Sequence, residues 1–559
     1  MIWKQNTELS QYNFFRENGY SVFSAVALCK AGIKTLDEAD EFLNGDELYD
    51  FRLIRNIDKA TDIIWKHIFA HNRICIFGDY DADGISASAV MFLALKKMGA
   101  EVCVRLPDRI EEGYGISKKA IKEQAECGAK LFVTVDNGVR AVEETEYVKE
   151  LGLDIVILDH HEPGDVLPQA DALIDLHIEG ETYPYKELTG SGLAWKVAHC
   201  MLEQIGEHDF ALSLADIAAI GTIGDVAPLN GENRVIVKRA VKRMRDHYYD
   251  RPGIRALMGD MSHITAEDIA YRLAPCLNAA GRLNVKGAEL SLILLLETNP
   301  LTAAELAVKV LSINEERKQM QAAIYGQIRE EAEKLVNAGD KVLVLCTEKA
   351  PSGIVGLLAG NLKEEFGRPA IVFAFKTDKD GKTVLTGSAR SVEAFHILNG
   401  IEKCRELLLS YGGHAMAAGL SVRPENFESF RRAINETASN LTDEELQPTC
   451  FWDMQLEQSE LSDELFAEAE RFKPFGAGAP KPVLKTEIKL SENEAHKFIG
   501  QDGKHIKLFA DGFSLIGFNL AEKYMELSLP DKITAYATLG ENYFNGEMHK
   551  QLSLLDFSA

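Results

Sequence analysis

A chain of 559 residues, with 46% hydrophobic and 26% charged residues, is long enough for several packed cores and has an ordinary globular composition. Its formal charge of −25 argues against a protein that coats nucleic acid through a generally basic surface, though a local basic groove is compatible with an acidic whole. No apolar run reaches the ~18 residues of a membrane span, and the N-terminus lacks a basic-then-apolar leader; the expectation is cytoplasmic residence without membrane contact.

Residues 1–70 read as a helical lead-in. From 71 to 231, short β-branched runs (RICIFGDY, EVCVRLP, KLFVTVDNG, DIVILDHH) alternate with helical stretches, which predicts buried, mostly parallel strands of an α/β sheet. The helix after the first run, ISASAVMFLALKKMG, should close on Gly99 in the left-handed conformation. Another, from Ser213 to about Ile223, leads into GDVAPL, where Pro228 bars continuation. Residues 232–338 form a helical connector whose last part suits one helix of ~50 Å, with Gly326 as a place to bend.

Residues 339–440 return to an α/β pattern, from KVLVLC to GGHAMAAGL. A polar linker, SNLTDEELQPT, follows. Residues 450–559 carry five strand-like segments with turn signals at Asp502-Gly503 and Asn545-Gly546, the pattern of an OB-fold-like β-barrel. The fold class is therefore α/β: two α/β domains joined by helices around a cleft, plus the C-terminal barrel. The nine cysteines are scattered and never in CxxC spacing, which argues against a disulfide framework or a thiolate zinc site.

Three of the strands in 71–231 end in metal-ligand residue types. The first ends in Asp79-Tyr80-Asp81-Ala82-Asp83-Gly84, another in Asp136-Asn137-Gly138, a third in Asp159-His160-His161. Ligands gather at the carboxyl ends of strands in an open parallel sheet, so these loops should converge, with Asp225 as a fourth group. Oxygen ligands with one or two imidazoles suit Mn²⁺ or Mg²⁺. Crowded carboxylates resist ionisation; a pair of divalent cations removes that cost and clamps a phosphodiester for in-line attack. Singly, each motif has a plain reading. The aspartate run opens like an EF-hand loop, but Val90 stands where the twelfth-position Glu belongs. Asp136-Asn137-Gly138 makes an ordinary turn, and Asp225 could close a helix. Three such strand ends in one sheet are what the plain readings leave unexplained.

GDYDADG at 78–84, DNG at 136–138, DHH at 159–161 and GDVAPL at 224–229 resemble, in order, the four motifs of the DHH phosphoesterase superfamily. The resemblance implies that Asp81, Asp83, Asp136, His160, His161 and Asp225 hold two Mn²⁺ or Mg²⁺ ions, with Asp79 as a partial or outer ligand. Phe77 stands where many small-substrate members have a histidine. Asn278-Ala279-Ala280-Gly281-Arg282, PSGIVGLLAG, Ser388-Ala389-Arg390-Ser391, GGHAMAAGL and KPFGAGAPKP are similar to the RecJ branch and its DHH-associated domain. The likeness runs from near residue 70 to the C-terminus.

That branch implies an exonuclease that degrades single-stranded DNA 5′ to 3′ to mononucleotides, in DNA repair and recombination. Gly412, Gly413 and His414, with Ser388 and Arg390, would bind the scissile region and terminal phosphate, His414 also serving catalysis; Asn278, Arg282 and Arg109 would contact the strand. Cys276 stands where the branch commonly carries arginine. In the barrel, Lys504, His505 and Lys507 with Phe509, Tyr536, Tyr543 and Phe544 are candidates for a basic groove with stacking aromatics. The expected partners are single-stranded DNA and a single-strand-binding protein or helicase, with the chain itself a monomer. A DHH phosphodiesterase for short oligonucleotides or cyclic dinucleotides is the alternative enzyme, and the C-terminal barrel argues against it. A non-catalytic replication scaffold is disfavoured because all six ligand positions keep metal-competent residues.

Overall fold

Four sheets organise the chain in the computed structural model, which describes residues 2–109, 112–247, 250–259, 262–283, 287–377, 381–447, 449–492, 495–500, 502–544 and 547–559. The first is a five-stranded parallel sheet in the order Val102–Arg105, Arg73–Phe77, Ala129–Val135, Asp154–Leu158, Ala172–Ile174. Its strands are continuous apolar runs because helices cover both faces. The first strand lies between the second and the third, so the chain leaves it in one direction and returns on the other side. That reversal opens a crevice at the carboxyl ends of Arg73–Phe77 and Ala129–Val135, where residues 78–84 and 136–138 begin.

Helix Ala82–Lys97 starts at the crevice. Its N-cap is Asp81, whose carboxylate accepts the N–H groups of Asp83 and Gly84 at 3.0 and 3.1 Å. The small residues Gly84, Ser86, Ala87, Ser88 and Ala89 are buried, which lets helices Gly190–Glu203 and Ala215–Gly224 pack closely against it. Gly99 follows the helix at φ +81, as expected. Helix Ala215–Gly224 ends at Asp225, and the backbone turns away through Val226 at φ +60.

The connector is helical, and its last helix, Pro300–Ala338, runs unbroken for 39 residues, ~58 Å at 1.5 Å per residue. Asn299 caps it with Pro300 in the first turn, and Gly339 at φ +94 closes it. Gly326 lies inside the continuous helix. The second α/β unit is a mixed sheet in the order Leu408–Gly413, Ala417–Val422, Thr383–Arg390, Ala370–Thr377, Leu343–Thr347. Only its last pair is parallel.

The C-terminal sheet has seven strands wrapped on one core that includes Leu484, Ile506, Leu515, Ala535, Leu552 and Phe557. The five expected segments are all strands; Met454–Gln455 and His496–Ile499 are added at the two ends. Asp502-Gly503 makes the expected turn, with Gly503 at φ +66. Asn545-Gly546 lies outside the described residues, as do the side chains of Tyr543 and Phe544.

The lead-in divides between two cores. Ile2–Gln5 pairs in parallel with Thr449–Trp452, and Phe15, Phe23 and Phe42 enter the C-terminal core, whereas helix Ile57–Phe69 packs into the core of the parallel-sheet domain. Arg234 joins these parts. Buried in helix Gly231–Asp246, it donates to the carbonyls of Phe42, Phe472 and Pro474 at 2.8–2.9 Å with its guanidinium 3.8 Å from the Phe42 ring centre. Among the described residues no helix is long and apolar enough to cross a membrane.

Candidate metal centre and nucleic-acid interface

All seven ligand-type residues read from the sequence meet at the crevice. Asp136, His160 and His161 form one group of potential ligands, Asp83, His160 and Asp225 a second, and Asp79, Asp81 and Asp136 a third, with ligand atoms inside each group within 4.8 Å of one another. His160 belongs to two groups and so does Asp136. The overlap gives the cluster the form expected of two adjacent sites sharing ligands.

The fold places each group for a local reason. Asp136 adopts φ +61, a conformation Asp tolerates better than most residues, and this turns its carboxylate into the crevice. Its N–H donates to the Leu158 carbonyl at 2.9 Å, and its own carbonyl accepts the Tyr114 hydroxyl at 3.1 Å. Asp136 Oδ1 is 3.0 Å from His160 Nε2. Asp83 Oδ1 accepts the N–H of Ser191 at 3.0 Å, from the start of helix Gly190–Glu203. Asp159 is not in the ligand groups. Buried beneath the histidines, its Oδ1 takes the N–H of His160 at 2.8 Å and contacts His161 Nδ1 at 2.7 Å, while Oδ2 takes the N–H of Val139.

The electrostatics are those of a cation site. Burial pushes the carboxyls of Asp79 and Asp136 well above the usual range, with Asp81 adding to the first and Asp83, Asp81, Asp79 and Asp159 to the second. Asp81 is raised by burial and by Asp83. Asp225 edges the open side of the site, yet desolvation by the surrounding loops and the charges of Asp83 and Asp81 push it up to about 8. Burial resists charging of His161, but the hydrogen bond and charge of Asp159 outweigh it and raise the imidazole to about 9. Burial lowers His160. Asp79 Oδ1 and Asp83 Oδ2 are buried without a hydrogen-bond partner. Carboxylate oxygens left in this state are costly unless a cation takes them. Oxygen donors with two imidazoles fit hard divalent ions such as Mn²⁺ and Mg²⁺.

Two expected outcomes follow from this geometry. Asp225 is raised from 3.8, so the stability it contributes is present below that value and lost as pH climbs through about 8; the raised His161 loses its contribution between 6.5 and about 9. Chelated protein should therefore melt progressively lower from pH 6.5 to 8.5, and the rise in Tm on adding Mg²⁺ should grow over the same window. A metal-induced shift that shrinks with pH would contradict the ligand set. Asp159→Asn removes the charge that orients His161. It should weaken Mn²⁺ affinity by about 10–100-fold, measured calorimetrically.

The remaining predicted residues lie around this cluster. Asn278 accepts the Ala82 N–H at 2.8 Å, so its side chain holds the first metal loop. Arg109 lies over the Tyr80 ring, 4.8 Å from its centre. Arg282 is half-buried and donates to the Gly353 carbonyl at 3.0 Å; desolvation, then the charges of Arg109 and Arg317, lower it to about 10. Arg390 is likewise lowered by burial and by Arg109, and donates to Ser388 Oγ at 3.0 Å. A Cβ placed on Gly356 would come within 3.0 Å of Ser388 and 3.1 Å of Arg390, so helix Val355–Phe366 begins against both. These arginines and the start of that helix make a cationic wall beside the metal loops.

Gly412, Gly413 and His414 form the exposed tip of the edge hairpin. Gly413 is at φ +147, and the described hydrogen bonds of His414 stay within the hairpin, its N–H reaching Ala417 at 2.8 Å. Cys276 is buried and takes a bond from Asn314 at 3.3 Å; Arg317, 2.8 Å from Asn314, brings a guanidinium to the same neighbourhood from the long helix. In the C-terminal sheet Lys504 pairs with Asp502, Lys507 lies near Phe509, and Tyr536 stacks on Trp3 at 4.2 Å. His505 contacts the exposed ring of Phe518.

Sequence reasoning missed Asp159 as the orienting group, Tyr114, Arg317 and the packing glycines. A Cβ at Gly190 would lie 2.4 Å from Asp136 Cβ, and one at Gly221 would lie 2.4 Å from Asp83 Oδ1. The signal was present in Thr189-Gly190-Ser191-Gly192, a capped helix start made of small residues.

Residues 73–222 match the model of the DHH family N-terminal domain, 339–440 that of the DHHA1 domain, and 452–556 that of the RecJ OB domain. The chain is 34% identical over 543 residues to the single-stranded-DNA-specific exonuclease RecJ of Bacillus subtilis, covering 95% of this chain and 67% of that protein. It is 32% identical over 553 residues to the protein of the same name from Dickeya dadantii, covering 93% of each. The crystal structure of RecJ in complex with Mn²⁺ from Thermus thermophilus matches all of this chain and 79% of its own, with a TM-score of 0.80 at 26% identity.

Proposed function

The chain belongs to the RecJ family of single-stranded-DNA-specific exonucleases, and from that premise we infer a Mn²⁺- or Mg²⁺-dependent hydrolase that shortens single-stranded DNA from the 5′ end. The observation that carries this reading is the convergence of five carboxylates and two imidazoles beside an arginine-lined wall. Asp81, Asp83, Asp136, His160, His161 and Asp225 are the proposed ligands, with Asp79 as a partial one. Divalent ions bound there supply Lewis acidity to the phosphoryl oxygens and lower the pKa of the attacking water.

The chain's own residues do the rest. Arg109, Arg282 and Arg390 offer guanidinium groups to the phosphates of the entering strand, and Ser388 a hydroxyl. His414, on its exposed hairpin tip, is free to approach the phosphoryl oxygens and stabilise the charge that develops on them. Asp159 keeps His161 oriented through turnover. The C-terminal sheet, pinned by Arg234, presents His505, Lys507 and neighbouring rings to the strand beyond the cleavage point. Mononucleotide products, action in DNA repair and recombination in the cytoplasm, a monomeric state, and work beside a single-strand-binding protein or helicase complete the proposal.

Strands labelled at either end test it in the presence of Mn²⁺ or Mg²⁺. A 5′ label should leave at once as a mononucleotide while a 3′-labelled strand shortens gradually, and a blunt duplex should resist. Early release of the 3′ label, or internal cutting, would overturn the polarity.

A further inference from the structure

Helix Gly190–Glu203 has the catalytic cluster at its N-terminal end and a second set of ligand-type side chains at its other end. His199 lies nine residues beyond Gly190, roughly 14 Å along the axis at 1.5 Å per residue. Glu203 follows His199 one turn later on the same face, and His208 opens the next helix, His208–Ser213. Glu203 Oε1 is 3.2 Å from His199 Nε2 and 3.2 Å from His208 Nδ1, and the potential ligand atoms of the three residues lie within 4.8 Å of one another. Adjacent ligands of a tetrahedral zinc ion with bonds of ~2.0–2.1 Å are about 3.3 Å apart.

His199 is only 8% exposed, and its buried Nε2 has the Glu203 carboxylate 3.2 Å away but makes no well-aligned hydrogen bond. The rings of Phe51, Trp195 and His208 stand 5.4–5.5 Å from it and fix its plane. Burial holds the imidazole below its usual pKa, in the neutral form that a cation takes. The nearby lysines are engaged elsewhere: Lys196 with Glu232 and Lys97 with Glu207. One Glu203 oxygen shared between the two imidazoles leaves the buried His199 contact poorly aligned, whereas one cation satisfies all three groups. Glu203 and His208 are exposed, which leaves an entry path and an open position for water.

We propose that His199, Glu203 and His208 form a second metal site, separate from the catalytic cluster, that holds one zinc ion. Two imidazoles and a carboxylate favour zinc over Mn²⁺ or Mg²⁺. The ion would clip the end of the helix that backs Asp136 to the segment leading into the helix that delivers Asp225.

The test uses the full chain, stripped by chelation and dialysed against Zn²⁺ with excess Mg²⁺, with zinc per chain read by atomic absorption. Both His208→Ala and Glu203→Gln alter exposed side chains and should retain about one zinc fewer per chain than wild type, because a three-ligand site does not survive as two. Their Mg²⁺-dependent nuclease rates should match wild type, since neither residue touches the catalytic cluster. Equal zinc content in wild type and both variants would overturn the site, whatever the nuclease does. So would a wild-type chain that retains no zinc.

Discussion

Asp136→Asn should lower metal-dependent cleavage of single-stranded DNA by at least about 10³-fold, while raising the melting temperature of the chelated protein. The loss follows from Asp136 serving two of the three ligand groups. A bound metal contributes several kcal/mol of transition-state stabilisation, and each 1.36 kcal/mol is tenfold in rate, so losing ~4 kcal/mol gives that factor. The gain follows from the same geometry. Burial and four neighbouring aspartates push the Asp136 carboxyl well up, so its charge opposes the folded state when no cation is bound. Asn keeps the shape, keeps an oxygen near His160 Nε2, and tolerates the left-handed backbone at φ +61. Steady-state kinetics and a chelated melt decide the matter. Retained activity would remove Asp136 from the ligand set, and a large fall in chelated Tm would mean that its carboxylate serves the fold.

Gly190→Ala should reduce activity by about 10²-fold or more, although it adds one methyl group and changes no charge. That methyl would stand 2.4 Å from Asp136 Cβ and 2.8 Å from its Cα, contacts that a packed backbone cannot absorb without moving. Either helix Gly190–Glu203 backs away, taking the Ser191 N–H from Asp83, or Asp136 shifts out of its groups. Overpacking of this kind costs about 1–3 kcal/mol of stability. A misplacement of ~1 Å in a metal ligand is worth two decades of rate. The signature is a modest fall in Tm with a large fall in kcat, and metal affinity reduced with it. An alanine variant with wild-type kinetics would show that the helix is free to slide, and that Gly190 does not set the position of Asp136.

The local signals in the chain were strong where a single element decides the answer. Apolar runs of four to seven residues marked four of the five parallel strands, whereas Ala172–Ile174 is only three residues long and went unread, and helix Pro300–Ala338 runs unbroken through Gly326, where the sequence offered a place to bend. In the C-terminal part, strand-like segments between turn signals located five strands, but Met454–Gln455 and His496–Ile499 are too short to stand out. The lead-in was legible as helical but not in its allegiance. Phe15, Phe23 and Phe42 complete the core of residues more than 400 positions away, and no periodicity encodes the identity of a distant partner.

The same division runs through the site. The sequence alone determined which side chains are chemically able to hold divalent cations. Ligand chemistry belongs to the residue, and the carboxyl ends of parallel strands are where such residues gather. Only the tertiary structure decided how they are used. It turned Asp159 under the histidines, committed Asn278 to the first metal loop, brought Arg317 beside Cys276, and set Gly190 and Gly221 against Asp136 and Asp83. Those roles depend on contacts of a few ångströms between segments far apart in the chain, and such contacts exist only after the helices and sheet have packed.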